Sequence, residues 1–375
     1  MVKHLSPTNV GTYYHNQCQL YVHNAFHRPP GTRNATKAPS PLVVAQFQRG
    51  LEWEARLFRW LDVADQLVRL DATAEPKTAL EIRDLFLDIG RELSTDKTKY
   101  IANLVFQSPS FKKELARFRS DPAGVTFGVA KPDLIKITRP SSEVITWEVI
   151  DAKSSSGLKS SHNAQIGFYH LCLEALIASV PPVGRGSPEI LPSDKASIWL
   201  PNPGSEDEIS MPVSTPISLL LPPLRTFLFK TLPQILKLPR DQVEWTLNPS
   251  CQGCEFVDSC RGATVKNGRL GMIPNLSVSD VRFIWEVVGI AADGGFHSSS
   301  GQLTDIEELD SLIKSAGMEK LERTYAPTVK RFQKLLCVQK TSTGRWSPLL
   351  EAARSHQPQV SDLASPIALE LIGMP

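Results

Sequence analysis

Hydrophobic residues in the first third of the chain recur mostly at the spacing of helices that bury one face. The clearest run covers residues 41–70, where apolar side chains return every three to four positions. Similar spacing predicts helices over 79–91 and 110–118, and an aromatic-rich helix or turn-helix over 9–26. A short strand is expected at 101–107. The chain is therefore expected to begin with a helix-rich segment.

After residue 123 the pattern changes from helical spacing to short β-branched runs. Residues 124–129, 133–138 and 144–151 form three such runs separated by turn residues, which predicts a group of antiparallel strands. Residues 160–180 then return to helical spacing. One face of that helix carries four apolar or aromatic residues: Ile166, Tyr169, Leu173 and Leu176.

The remaining chain alternates between irregular and helical segments. Residues 181–215 are rich in proline, glycine and serine, with one strand candidate at 196–200. Residues 217–238 predict a helix around a proline pair. Beyond Arg261 the pattern is helical again, with helices expected over 276–290, 305–316 and 321–338.

A length of 375 residues fits two domains better than one. We expect a larger domain over residues 1–262 and a small helical appendix over 263–375, which could form a connection to further domains. With 41% hydrophobic and 21% charged residues, the chain can bury a substantial core and is not expected to be disordered.

The formal charge excludes binding to polyanions through bulk positive charge, because 41 basic and 39 acidic residues leave only +2. No apolar run reaches the roughly 18 residues of a membrane span. The first ten residues also lack the apolar core of a secretory signal. We therefore expect an intracellular protein of a reducing compartment, the cytoplasm or nucleus, with no membrane partner.

Charge is distributed unevenly along the chain. Residues 97–170 contain eleven lysines and arginines against six acids, a local excess of five. A nucleic-acid substrate therefore remains compatible with the near-neutral total.

Two carboxylates and a lysine stand at the ends of neighbouring predicted strands. Asp133 begins one strand, and Asp151 and Lys153 end the next, where a spacing of two sends both side chains to one face. Together with the carbonyl of Ala152, the carboxylates can bind a divalent cation, and the lysine can orient or deprotonate water for phosphodiester hydrolysis. Taken alone, Asp-x-Lys more often marks two solvated strand ends.

The helix that follows carries Gln165 and Tyr169, four residues apart and thus on one face. Alone, this pair is typical of a helix surface with a half-buried tyrosine. In the order Pro132-Asp133, Asp151-x-Lys153, Gln165-x3-Tyr169, however, the chain resembles the PD-(D/E)XK nuclease superfamily, specifically its RecB-like branch.

The resemblance implies an α/β, restriction-endonuclease-like core, in which a mixed central sheet is flanked by helices. It also implies that Gly50-x3-Glu54 supplies a further acid to the metal site. Glu52 should point elsewhere around its helix, and Glu148 should face the opposite side of its strand. The catalytic residues implied are Glu54, Asp133, Asp151 and Lys153, with Gln165 and Tyr169 in support. The implied ligands of Mg²⁺ or Mn²⁺ are Glu54, Asp133, Asp151 and the Ala152 carbonyl.

Three of the six cysteines crowd into ten residues, at Cys251, Cys254 and Cys260, which favours a shared metal or cluster. A fourth ligand can come from Cys18, or for zinc from one of the histidines at 15, 23 and 27. The resemblance implies Cys18. RecB-like nucleases of the AddB, eukaryotic nuclease-helicase and CRISPR-associated exonuclease groups carry one cysteine before the core and three after it. These four bind a [4Fe–4S] cluster that clasps the domain.

By the same resemblance, the expected function is metal-dependent hydrolysis of DNA by an exonuclease or end-processing nuclease, acting on single-stranded DNA or single-stranded ends. A helicase, in cis or in trans, is a possible partner. The chain has no Gly-x4-Gly-Lys-Ser/Thr phosphate loop of its own. Two alternatives remain: a catalytically silent nucleic-acid-binding module, and a scaffold protein with a zinc knuckle.

Overall fold

The computed structural model describes residues 4–266, apart from several short gaps. These gaps are residues 29–40, 72, 74, 96, 121–124, 182, 183, 185, 203–207 and 248. Cys337 and the three helices expected beyond residue 275 lie outside the described residues. The domain boundary expected after residue 262 lies close to Lys266, the last described residue, and stays a prediction.

The described chain forms two compact units, and each contains more than one segment. The segments of the first unit fall within Met1–His15, Val22–Arg28 and Asn34–Leu238. Those of the second fall within Asn16–Tyr21 and Pro239–Pro375. A short segment near residue 18 is therefore grouped with the cysteine-bearing segment more than 230 residues later.

A mixed sheet forms the centre of the first unit. In the described residues it has seven strands in the order β1-β2-β5-β6-β8-β9, with β7 also paired to β6. The β2–β5, β5–β6 and β8–β9 pairs are antiparallel, whereas β1–β2, β6–β7 and β6–β8 are parallel. The strands are β1 (Leu67–Arg69), β2 (Thr98–Ala102), β5 (Leu134–Ser141), β6 (Val144–Ala152), β7 (Glu189–Pro192), β8 (Lys195–Trp199) and β9 (Val213–Pro216). Two further strands, β3 (Phe106–Gln107) and β4 (Val129–Ala130), form a separate antiparallel pair.

Helices precede, follow and connect the strands. In chain order they are α1 (Pro7–Asn16), α2 (Gln19–His27), α3 (Pro41–Val63), α4 (Ala79–Glu92), α5 (Lys112–Arg117), α6 (Ser160–Ile177), α7 (Ile217–Thr226), α8 (Leu232–Lys237) and α9 (Val257–Lys266). A π-helical turn at Phe227–Thr231 joins α7 to α8. None of the described helices is long and apolar enough to cross a membrane.

The sheet buries both of its faces. On one face, α3 packs Trp53 and Leu57 against Ile150 of β6 and Trp199 of β8. On the other face lie α4 and α6, where the Trp147 and His170 rings pack at a 40° tilt with centroids 4.8 Å apart. Because side chains alternate along β6, its odd-numbered residues face α6 and its even-numbered residues face α3. The expected α/β fold with a mixed sheet flanked by helices is confirmed.

Several predicted boundaries were wrong, and left-handed residues explain two of them. The helix predicted over 41–70 ends at Val63, because Asp65 adopts φ +52°, and the chain then enters β1. The strand predicted over 101–107 is broken at Asn103, which has φ +61°. Short polar side chains adopt this conformation more readily than most residues.

Other predictions differed in extent. Of the strand predicted at 124–129, the structure has β4 at Val129–Ala130, which pairs with β3 and not with β5 or β6. The strands β7 and β9 were not predicted. Helix α6 was expected to bury one face, but its middle part, from Ile166 to Leu173, is buried all round.

Candidate active site

The ends of β5 and β6 bring the two predicted aspartates together. Leu134 pairs with Ile150 in the antiparallel register, so Asp133 and Asp151 are the next residues along each strand. Their side chains therefore share the face of the sheet that α6 covers. Asp133 Oδ2 accepts a hydrogen bond from the Ala152 amide at 2.7 Å, which fixes one aspartate against the other strand.

Lys153 lies directly beyond β6 and pairs with Asp151. Its Nζ is 2.5 Å from Asp151 Oδ2. Its backbone amide donates to the Trp199 carbonyl at 3.0 Å, which ties the end of β6 to the end of β8. The lysine side chain is one-quarter exposed, whereas Asp151 is fully buried.

Helix α3 carries Glu54 to the same end of the sheet. The neighbouring Trp53 donates from Nε1 to the Trp199 carbonyl at 3.2 Å, the same oxygen that the Lys153 amide uses. One turn earlier, a Cβ on Gly50 would lie 3.8 Å from Ser154 Oγ. The helix thus passes close to the chain that follows Lys153.

The two acids that the sequence excluded lie apart from this group. Glu52 is exposed and accepts a hydrogen bond from Gln48 at 2.8 Å. Glu148 is buried on the α3 side of β6, where it accepts a hydrogen bond from Ser197 and lies 3.6 Å from Lys136 Nζ. Both placements agree with the helical and strand periods used to exclude them.

The acids and the lysine share one electrostatic environment. Burial raises the pKa of Asp151 well above its usual range, and the charge of Asp133 raises it further, against an opposing effect of Lys153. Burial and Asp133 also raise the pKa of Glu54, although Lys131 and Lys153 oppose them. Burial lowers the pKa of Lys153, but the nearby carboxylates outweigh it, so its pKa is raised. The lysine is therefore a cation at neutral pH.

Helix α6 places the predicted glutamine and tyrosine beside the aspartates. Gln165 Nε2 donates to the Tyr169 hydroxyl at 2.9 Å. Burial raises the pKa of Tyr169, and the charges of Asp151 and Asp133 raise it further. Tyr169 therefore stays protonated and lies within electrostatic reach of both carboxylates.

The donor chemistry of this group fits a hard divalent cation. Carboxylates and a backbone carbonyl are the oxygen ligands that Mg²⁺ prefers. Among the described residues, no donor is hydrogen-bonded to Asp151 Oδ1, although that atom is buried. Within those residues, however, no three His, Cys, Asp or Glu side chains stand in an arrangement ready to hold a metal ion. The case for a divalent cation here thus depends on the oxygen donors that are present and on the buried Asp151 Oδ1.

The second unit gathers the four cysteines of the predicted clasp. Burial raises the pKa of Cys18 to about 12, and the thiols of Cys251, Cys260 and Cys254 each raise it further. The Cys254 amide donates to the Cys251 carbonyl at 3.0 Å, within the turn that leads to α9. Four thiols from two distant segments therefore lie within electrostatic reach of one another.

Two of the histidines considered as zinc ligands have other contacts, in the first unit. His23 Nε2 lies 3.0 Å from the Leu238 carbonyl, and His27 Nε2 lies 2.9 Å from the Leu236 carbonyl. These contacts favour Cys18 over either histidine as the fourth ligand. Cys172 is fully buried in α6, as expected for a core residue.

Sequence reasoning missed two residues of the site, Trp53 and His162. Trp53 directly precedes Glu54 in the motif, but no role of its own was predicted for it. His162 lies in the first turn of α6, where burial and the charges of Lys153, Lys159 and His15 lower its pKa to about 4. Its position two turns before Tyr169 was visible in the sequence, but its burial was not.

Comparison with known families gives one match. The sequence model of the PD-(D/E)XK nuclease superfamily matches residues 3–261. No curated protein and no solved structure matches the chain.

Proposed function

The chain belongs to the PD-(D/E)XK nuclease superfamily, and we propose that it is a metal-dependent nuclease that hydrolyses DNA, single-stranded or at single-stranded ends. The observation that carries this proposal is the grouping of Glu54, Asp133, Asp151 and Lys153 at one end of the sheet. The preference for single strands comes from the RecB-like motif order.

In this proposal Glu54, Asp133, Asp151 and the Ala152 carbonyl hold Mg²⁺ or Mn²⁺. The cation would polarise the phosphoryl oxygen and offset the negative charge that develops there. Lys153 is held as an ammonium by its carboxylate neighbours, so its role is to orient water and to stabilise that charge. The protonated Tyr169 hydroxyl, fixed by Gln165, can donate a hydrogen bond to the substrate.

We further propose that Cys18, Cys251, Cys254 and Cys260 bind a [4Fe–4S] cluster. The effects of three thiols on the Cys18 pKa support a common site, as does the grouping of both segments in one unit. Four thiolates suit an iron–sulfur cluster, and metal binding would deprotonate them. Zinc on the same thiols is the alternative.

A catalytically silent binding module is the main rival function. The intact acid and lysine set argues against it, because a buried carboxylate such as Asp151 is costly to keep without a use. A helicase partner, in cis or in trans, is compatible with the RecB-like motif order and is proposed only on that ground.

Time courses with end-labelled DNA test the nuclease proposal. Wild-type protein with Mg²⁺ or Mn²⁺ should degrade single-stranded DNA, and Asp151→Ala should reduce the rate by at least about 100-fold. Glu54→Gln should do the same, whereas its matched control Glu52→Gln, an exposed acid two residues away, should retain activity.

Parallel reactions with duplex DNA and with RNA define the substrate. Preference for duplex DNA or for RNA would reject single-stranded DNA as the substrate. If wild type cleaves none of these with either metal, the binding-module alternative is the better description.

A further inference from the structure

The segment that leads from Lys153 into α6 has an unusual composition. Residues 152–173 contain two lysines and no acid, and five serines lie between positions 154 and 161. Hydroxyls, backbone amides and lysines are the groups that contact nucleic-acid phosphates. This segment borders the candidate active site directly.

The N-terminus of α6 is open to an anion. Its N-cap is Lys159, which provides no side-chain cap, and its first turn contains no acid. The His162 and Asn163 amides donate to the Lys159 carbonyl at 3.0 and 3.2 Å, so the Ser160 and Ser161 amides are the ones without a partner in the helix. They carry the partial positive charge of the helix N-terminus. The helix is 18 residues long, so its macrodipole is fully developed.

His162 provides a second, independent indication of a ligand. The residue is 9% exposed, and its ring makes no hydrogen bond to any described residue. Buried polar groups in native proteins are almost always paired. Nδ1 is buried without a partner, which leaves Nε2 as the nitrogen that a ligand can reach.

The surroundings of His162 are positive. After burial, which is the largest cause, the pKa of His162 is lowered by the charges of Lys153, Lys159 and His15. An anion placed there would be attracted by the exposed Lys159. Lys153 is already paired with Asp151 and contributes less.

Helix α1 closes the other side of this position. A Cβ on Gly11 would lie 3.3 Å from the Ser161 carbonyl, so the two helices are in close contact. Ser160 Oγ donates to the Tyr14 carbonyl at 3.4 Å, which places the exposed His15 next to the first turn of α6. The C-terminal half of α1 therefore packs beside the first turn of α6.

We propose that His162, Lys159 and the amides of Ser160 and Ser161 bind a backbone phosphate of the nucleic-acid strand, next to the one that is cleaved. The charge of Lys153 acts on both His162 and Asp151, so the phosphate site lies beside the catalytic acids. The neutral imidazole donates from Nε2, and Lys159 supplies the charge. The inference rests on the proposed function and names a substrate contact of that site.

Binding without turnover tests the subsite. The probe is a fluorescein-labelled single-stranded DNA oligonucleotide, followed by anisotropy in EDTA across a series of salt concentrations. His162→Leu should weaken binding about tenfold, as expected for one lost hydrogen bond to a charged group. His162→Gln should recover most of this loss, because its amide can occupy the position of Nε2.

Lys159→Ala gives a second readout that does not depend on a buried residue. It should weaken binding and reduce the slope of log affinity against log salt by about 0.7, the value for one phosphate contact on a single strand. The control is Lys195→Ala, an exposed lysine at the start of β8, whereas the active site lies at the end of that strand. It should leave the slope unchanged.

The outcomes separate this inference from the nuclease proposal. Unchanged affinity and salt slope in both His162→Leu and Lys159→Ala would overturn the subsite, even if wild type cleaves DNA. Failure of wild type to bind the oligonucleotide would also overturn it. If wild type binds through these residues but never cleaves with Mg²⁺ or Mn²⁺, the nuclease proposal fails, while the phosphate contact of His162 and Lys159 stands. Oligonucleotides with a 5′-hydroxyl and a 5′-phosphate should bind equally; a strong preference for the 5′-phosphate would reject a backbone phosphate.

Discussion

Asp151 is the residue at which folding and function conflict most directly. It is fully buried, its pKa is raised by burial and by Asp133, and Lys153 is the cation that pairs with it. A carboxylate in this position destabilises the fold at neutral pH, because desolvation penalises its charged form. A divalent cation would relieve that penalty.

We therefore expect Mg²⁺ or Mn²⁺ to stabilise the wild-type protein. At a concentration about 100 times the dissociation constant, a ligand that binds only the folded state adds about 2.7 kcal/mol to the free energy of unfolding. Thermal melts with and without metal measure this. Asp151→Asn should lose the metal-dependent increase, while Glu52→Gln should keep it. An equal increase in both variants would place the cation elsewhere.

His170 should make stability depend on pH. It is 1% exposed against Trp147, and burial followed by the charge of Arg225 lowers its pKa to about 4, from 6.5. Above pH 6.5 the imidazole is neutral in both states. As the pH falls towards 4, the unfolded chain gains a proton that the folded protein does not, so the free energy of unfolding decreases, by up to about 3 kcal/mol.

Denaturant titrations between pH 4 and pH 7 measure this change. His170→Phe keeps an aromatic ring against Trp147 but cannot titrate, so its free energy of unfolding should depend less on pH. Part of the dependence should persist through His162, whose pKa is also lowered to about 4. An identical pH dependence in wild type and variant would contradict this assignment.

At the scale of elements, the contact between α4 and β6 depends on one glycine. A Cβ on Gly90 would lie 2.3 Å from Ile145 Cδ1 and 2.6 Å from Cγ1. Gly90→Ala should therefore destabilise the protein by about 1–3 kcal/mol through overpacking. Urea unfolding measures the loss.

The same substitution at Gly50 is a matched control within α3. Its nearest neighbour would be 3.8 Å away, an ordinary contact, so Gly50→Ala should be neutral or gain up to about 1 kcal/mol of helix propensity. Adding Ile145→Ala should remove most of the effect of Gly90→Ala. Purely additive losses in the double variant would show that the clash is not the cause.

The strands that carry the site were predictable, whereas the edges of the sheet were not. Asp133 and Asp151 stand at the ends of strongly patterned strands, so their alignment follows from the strand period. The edge strands β7 and β9 have four residues each, contain proline and lie in a polar segment, so they produce no strong pattern. Local propensity is outweighed there by pairing with β6 and β8.

At the site itself, the contacts and burial of individual side chains could not be predicted from the sequence. Glu54 could be identified by motif order, but the indole of Trp53 that anchors its helix depends on a carbonyl 146 residues away. The lowered pKa of His162 likewise comes first from burial and then from the charges of Lys153, Lys159 and His15, the last of which lies on a distant segment. Such effects arise only once the chain has folded.

For the whole molecule, the near-neutral charge combines a basic site region with a remainder of 30 basic and 33 acidic residues. Residues 97–170 have five more basic than acidic residues, within a total of +2. Affinity for nucleic acid should therefore come from contacts near the site. Replacing a single lysine there, such as Lys159, should produce a measurable loss of affinity. It should not come from the surface at large.

The four cysteines connect residues more than 230 positions apart, which makes their effect a property of the whole chain. Closing so long a loop removes several kcal/mol of entropy from the unfolded chain in the cross-link model. Cys251→Ala should thus lower the melting temperature and, for an iron–sulfur cluster, remove a broad absorbance near about 400 nm. It should leave Glu54, Asp133, Asp151 and Lys153 in place, because none of them lies in the second unit.

Cys172→Ala is the control, since that thiol is buried in α6, outside the second unit. It should keep the absorbance and the bound metal, and lose only the packing energy of one small side chain. Metal analysis of anaerobically purified protein then distinguishes iron from zinc. If Cys251→Ala loses its metal but keeps wild-type melting temperature and nuclease activity, the four thiols do not stabilise the fold. A loss of stability together with the metal, with residual cleavage below the melting temperature, is the result that a purely structural cluster requires.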